Sequence, residues 1–326
     1  AVPTYVVLNA TKPREAQVGI GYETDKGVRV VGKIENNLVN RNGYQAGLSI
    51  AASKSDQQVE ITGSYPYKHP LNDKLIGSIG YEHKSVDDIN NALAIDSLNA
   101  SISRNIKKDT GWNRLYSIRY RYDELNNNFN STDIIKLPPP FNNTDSKYSQ
   151  QALLVGYALN KTVSDNVLNP TQGYSQHYSV EAGAKGLLTD TNIVILQAGL
   201  KGLYSFGGDN KHQVLGRADL GYIYSDSFYD VPYKLRFFAG GDQSLRGYAT
   251  DSQSPEQSGY LLGGRALATG SLEYNYEFRS GFRGALFADV GNAYDFEGDY
   301  GNKTKVGIGT GIRWASPIGL VRLDVA

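Results

Sequence analysis

The side chains able to do chemistry in this sequence are few, and most are fixed charges. The four histidines, His69, His83, His177 and His212, have no metal-ligand spacing. Cysteine is absent, so thiolate ligands and thiol nucleophiles are excluded. Gly241-Asp242-Gln243-Ser244 offers a serine, but no strand–turn–helix frame holds it and no histidine stands nearby. Gly307, Gly309 and Gly311 form a Gly-x-Gly-x-Gly run inside a strand-like segment, where it cannot open a helix around phosphate. Asp295, Glu297 and Asp299 read as a solvated acidic loop, and Lys107 and Lys108 as solvated turn charges. What remains is arginine: Arg119 and Arg121 in mid-segment, and Arg246 within a long insert. A guanidinium stays charged and donates in a planar fork, which suits clamping carboxylates rather than making bonds. No catalytic residue, metal or cofactor is expected.

The elements that position these arginines alternate with a period of two. Val18, Ile20 and Tyr22 take one face, against Gln17, Gly19, Gly21 and Glu23. Leu272, Tyr274, Tyr276 and Phe278 oppose Ser271, Glu273, Asn275 and Glu277. Phe282, Leu286, Ala288 and Val290 oppose Arg283, Phe287 and Asp289. Val306, Ile308, Ile312 and Trp314 oppose the three glycines and Arg313. The register puts Glu273 and Asp289 on the polar face of adjacent strands. The 326 residues include 36 Gly and 24 Tyr, and 40% are hydrophobic. No window approaches the ~18 apolar residues of a membrane helix, the densest being Ala152 to Leu159. Charge is balanced, 33 basic against 33 acidic residues, which argues against nucleic acid as a partner.

Three features favour a membrane β-barrel with a wet interior over a dry sandwich. Mid-strand charges such as Arg119 and Arg121 would be rejected by a dry core. Aromatics crowd the segment ends, as at Tyr65, Tyr67, Tyr81, Tyr222, Tyr224 and Phe228, in the manner of an interfacial girdle. Many segments reach the ~9–11 residues that a tilted membrane strand needs. Strands are expected near 16–23, 27–35, 44–54, 57–66, 74–85, 92–105, 112–123, 148–159, 174–187, 192–205, 212–225, 265–278, 282–290, 304–314 and 318–325. That is about fifteen, where bacterial barrels have an even number. An open edge in hydrocarbon leaves backbone groups unsatisfied, so a sixteenth and last strand is expected beyond Ala326. The absence of methionine and of a signal peptide suggests a piece of a longer precursor. Polar inserts span 124–147, with Pro138-Pro139-Pro140, and 226–264.

Within the second insert, Leu235-Arg236-Phe237-Phe238-Ala239-Gly240-Gly241-Asp242-Gln243-Ser244-Leu245-Arg246-Gly247-Tyr248 resembles a signature of the outer-membrane insertase superfamily that includes BamA and TamA. The agreement in motif is nearest to the TamA branch. Val18-Gly19-Ile20-Gly21-Tyr22 with Thr24-Asp25 resembles that family's first strand and loop. Gly270 to Tyr274 and Leu286 to Gly291 resemble its strands twelve and thirteen. Gly307 to Trp314 with Ser316-Pro317-Ile318-Gly319 resembles its closing motif, with Leu320 in place of the usual proline.

The resemblance implies a fold and a set of roles. The fold is an all-β transmembrane antiparallel barrel of 16 strands over 16–326, with a long loop folded into the lumen. Residues 1–15 would be the tail of a preceding periplasmic POTRA-type domain. Leu245, Arg246, Gly247 and Tyr248 would form the lumen-loop motif beyond a turn at Gly240, Gly241 and Asp242. Arg246 would be clamped by Glu273 and Asp289, either pinning a plug or taking part in gating. Its loss would strand two acids, at about 2–4 kcal/mol if they are buried. Val18 to Tyr22 would line a lateral seam with the last strand, where Gly19 and Gly21 either weaken pairing or make room for the loop.

The implied activity, in the bacterial outer membrane, is insertion or translocation of β-barrel or autotransporter clients. Its partners would be unfolded outer-membrane clients, the lipid bilayer and an inner-membrane-anchored, periplasm-spanning subunit. The rivals are a two-partner secretion pore, a passive porin and a barrel enzyme. The last would need a rim Ser/His or His/Asp set that the sequence lacks.

Overall fold

The computed structural model describes residues 13–23, 27–86, 93–127, 142, 147–166, 170–257, 260–296, 303–316 and 319–326. Outside the described residues lie most of the expected periplasmic tail (residues 1–12), Thr24, Asp25, the proline run, Glu297, Asp299, Pro317 and Ile318.

Fifteen antiparallel strands form one sheet: β1 (Arg14–Glu23), β2 (Gly27–Asn36), β3 (Gln45–Ala52), β4 (Asp56–His69), β5 (Asp73–Val86), β6 (Leu93–Lys107), β7 (Asn113–Asn127), β8 (Lys147–Ser164), β9 (Gln172–Gly183), β10 (Ile193–Phe206), β11 (His212–Ser225), β14 (Ala266–Arg279), β15 (Phe282–Tyr294), β16 (Lys305–Ser316) and β17 (Gly319–Val325). The two-residue strands β12 (Glu256–Gln257) and β13 (Tyr260–Leu261) pair with each other in the connection between β11 and β14. Each of the fifteen expected strands is present. β8 runs on past 159 to Ser164, and β9 stops at Gly183 rather than 187.

Each of the fifteen strands pairs with the next of the fifteen along the chain, β11 with β14, so the sheet is a meander, with β1 and β17 as its outer members among the described residues. The alternation read from sequence sorts the two faces. Outward-facing Val18 is 80% exposed, Ile308 72% and Leu286 62%. An apolar face of that extent is unfavourable in water and suits hydrocarbon. Among the described residues no helix is long and apolar enough to cross a membrane.

The other face closes around the connection 226–265. That connection bonds to Glu82 of β5, Asp123 of β7, Gln150 of β8, Arg217 of β11 and Asp289 of β15. One loop touches strands eight places apart in the sheet order only if the sheet curls round it. This inside is drier than expected. Ala152, Leu154, Ile193, Ile195 and Ile223 of the wall pack with Phe228, Val231, Leu235 and Phe237 of the loop. The dense apolar stretch of β8 is thus the wall of a small core. Phe228, expected in the girdle, is 4% exposed inside this cluster. Tyr67, Tyr81, Tyr222 and Tyr224 do face outward and are exposed. Asp295, expected to be solvated, is buried 3.6 Å from Arg265.

Candidate functional site

The loop enters through a short 3-10 turn at Tyr233–Leu235 that the wall holds by its backbone. Asp123 accepts from the Lys234 N–H at 3.0 Å, and Gln150 accepts from the Tyr233 N–H at 3.0 Å. Both wall side chains are fully buried. Lys234 reaches Glu82, and Lys84 reaches Asp251 at 2.9 Å. Arg236 is buried and, among the described residues, makes no ion pair with a carboxylate. It donates to the carbonyls of Val231, Leu262 and Tyr229 at 2.8–3.2 Å, between the rings of Phe228, Tyr229 and Tyr233. Burial pulls its pKa down to about 10, so it stays charged at neutral pH.

Beyond this anchor the chain makes two tight turns. Gly240 and Gly241 have φ of 113° and 85°, and a Cβ on Gly240 would collide with the Ala249 carbonyl. Gly241 N–H donates to the Tyr248 carbonyl at 2.9 Å, which closes the tip on itself. The Asp242 side chain is exposed, and its carbonyl accepts from Arg217 at 3.4 Å. Arg217 also donates to the Ser244 carbonyl at 2.7 Å. Leu245 is fully buried at the base of the tip.

These turns deliver Arg246 to the inner wall of β14 and β15. Its Nε donates to Asp289 Oδ2 at 2.8 Å, its Nη2 to Asp289 Oδ1 at 2.8 Å and its Nη1 to Glu273. The Arg246 N–H adds a bond to Asp289 at 2.9 Å, and Ser271 hydrogen-bonds both groups. The guanidinium carbon lies 3.6 Å from the Phe287 ring centroid. Burial on its own would lower the Arg246 pKa, but the bonds to Asp289 and Glu273 outweigh it and raise it. Gly247 takes φ 89°, and Tyr248 donates to the Val306 carbonyl at 3.2 Å.

The expected motif, turn and acids therefore meet in one place. Sequence reading missed the roles of Arg217, Arg236, Asp123 and Gln150, and it placed Arg313 only as a polar-face residue. Arg313 donates to Glu273 at 3.0 and 3.1 Å and to Asp324 of β17. The only available signal was mid-strand position on a polar face, which Arg119 and Arg121 share.

The glycines have distinct tasks. A Cβ on Gly307 would strike the Arg246 carbonyl, and one on Gly309 would strike the Phe287 ring. This run makes room for the loop and for the ring under its arginine. Among the described residues nothing lies within 4 Å of the space a Cβ would take on Gly19 or Gly21. Making room for the loop is therefore not their task. Val18, Ile20 and Tyr22 point outward, and β1 pairs along its whole length with β2. Among the described residues no cluster of His, Asp and Glu is arranged to hold a metal.

The Omp85 superfamily domain matches residues 39–326. The outer membrane protein assembly factor BamA of Nitratidesulfovibrio vulgaris is 25% identical over 312 residues, covering 93% of this chain and 38% of its own length. Among solved structures, BamA from Haemophilus ducreyi lacking POTRA domains 1–3 gives a TM-score of 0.81 at 21% identity, over 96% of this chain and 66% of that one. CdiB from Escherichia coli gives 0.59 at 11% identity, over 98% and 60%. These structural likenesses are of fold. The chain spans well under half the length of the BamA relative.

Proposed function

Since the chain belongs to the Omp85 superfamily and sits in the bacterial outer membrane, we propose that it serves an assembly factor that inserts β-barrel or autotransporter clients into that membrane. The observation that carries this reading is the loop tip held by Arg246 on Asp289 and Glu273 inside a sheet whose outer face is apolar. A porin has no use for such a clamp, which narrows its lumen. The relative whose name includes "assembly factor" points the same way.

The step requires no covalent chemistry. A client strand adds to the free edge of β1 by main-chain hydrogen bonds, and its apolar face meets lipid beside Val18, Ile20 and Tyr22. Gly19 and Gly21 leave the inner side of that edge unobstructed. The clients are unfolded outer-membrane proteins, and a periplasm-spanning, inner-membrane-anchored subunit would supply the link across the periplasm. Assignment to the TamA branch rests on the sequence motifs.

Cysteine placed at Ile20 should capture, by a disulfide, a client bearing cysteine in its leading edge strand during assembly into liposomes. Full-rate assembly without capture at any position along β1 sinks this route. A secretion pore behaves differently: it exports one dedicated cargo and inserts no barrel.

A further inference from the structure

Glu273 serves two arginines at once. Arg246 approaches it from the loop and Arg313 from β16. Arg313 continues to Asp324, on the inner face of β17 opposite Gly311. The order Asp289, Arg246, Glu273, Arg313, Asp324 is an unbroken ion-pair chain from the loop tip to an outer strand of the sheet. Direct contact runs beside it: a Cβ on Gly247 would lie 3.3 Å from the Ala326 Cβ, just past the end of β17. Gly311 has no side chain, and a Cβ there would collide with the Asp324 carboxylate.

The geometry points to Arg313 as a positioning residue that couples the docked loop tip to β17, so that release of either loosens the other. The reason is charge balance. With the loop docked, Arg246, Arg313 and the nearby Arg217 face Asp289, Glu273 and Asp324. With Arg246 withdrawn, two arginines are left for three acids, and the vacated Glu273, already bonded to Arg313, draws it off Asp324. Among the described residues β17 is then held by its ladder to β16, from Ser316↔Gly319 to Thr310↔Val325. Linkage makes the effect reciprocal, so loss of Asp324 frees Arg313 to compete with Arg246 for Glu273. On the insertase reading, this coupling would let the loop respond to a change at β17 during client assembly. The coupling itself can be measured with no client present, so its failure leaves that reading standing.

Amide hydrogen exchange of the protein in lipid nanodiscs tests it. Arg246→Ala should speed exchange in 319–325 by about tenfold, within the usual range of coupling between sites. Asp324→Asn, and Gly311→Ala by displacing the carboxylate, should speed exchange in 240–248 by a similar factor. In an Arg313→Gln background, adding Arg246→Ala should change β17 no further. Unaltered β17 exchange in Arg246→Ala, or simple additivity with Arg313→Gln, overturns the proposal. If Arg246→Ala does not fold, Arg246→Lys keeps the charge but loses the fork. It should give a smaller change in β17, and an unchanged β17 again overturns the proposal.

Discussion

Removing Arg246 leaves Asp289, with no solvent exposure, without its guanidinium, and leaves Glu273, with 8%, to Arg313 alone. Breaking such a buried pair costs about 3–5 kcal/mol. Arg246→Ala should therefore undock the tip, which limited proteolysis within 236–253 would report as faster cleavage. Arg246→Lys should fall between variant and parent, since an ammonium cannot bridge both acids in a fork. Arg236→Met should loosen the loop from its other end, because it strands three carbonyls in a dry site. The loss is about 2–3 kcal/mol, seen as accelerated exchange in 228–239. The Arg246 clamp was legible in the sequence because its motif and its acids sit in recognisable patterns. Arg236 was not, because its partners are backbone carbonyls, and no spacing of side chains announces those.

At the scale of the strand, alternation reports which face is which, and that sufficed to place all fifteen strands and the inward position of Glu273 and Asp289. It does not report what lies opposite that face. Ala152 and Leu154 on β8 look like any apolar strand, yet they face a loop that folds back from 226–265. Phe228, just past the end of β11, is carried into the same core by that loop. Glycines sort similarly: identical in sequence, they separate only once their neighbours are known. Gly19→Ala and Gly21→Ala meet open space, so each should stabilise β1 by about 0.5–1 kcal/mol through lower chain entropy. Gly307→Ala meets the Arg246 carbonyl and should undock the tip even with the clamp residues intact. A thermal unfolding series in detergent that ranked Gly307→Ala above Gly19→Ala would contradict this assignment.

For the whole molecule, the loop decides whether the lumen is open. It fills the space against β6, β7, β8, β10 and β11 with apolar contacts and locks onto β5, β14 and β15 with charge. Deleting 238–252 should raise steady conductance in planar bilayers well above that of the parent, and conductance equal to the parent would show that the plug lies elsewhere. The bracing is also lopsided. From β5 to β15 the wall is tied across its interior by Lys234, Gln150, Arg217 and Arg246, whereas among the described residues nothing comes within 4 Å of a Cβ on Gly19 or Gly21 of β1. A tube with struts on one side only does not flex evenly. Under lateral tension from the bilayer, strain concentrates in the unstrutted arc, so the wall should bend first beside β1, and a thinner or more tightly curved membrane would do mechanical work at the edge proposed to receive a client.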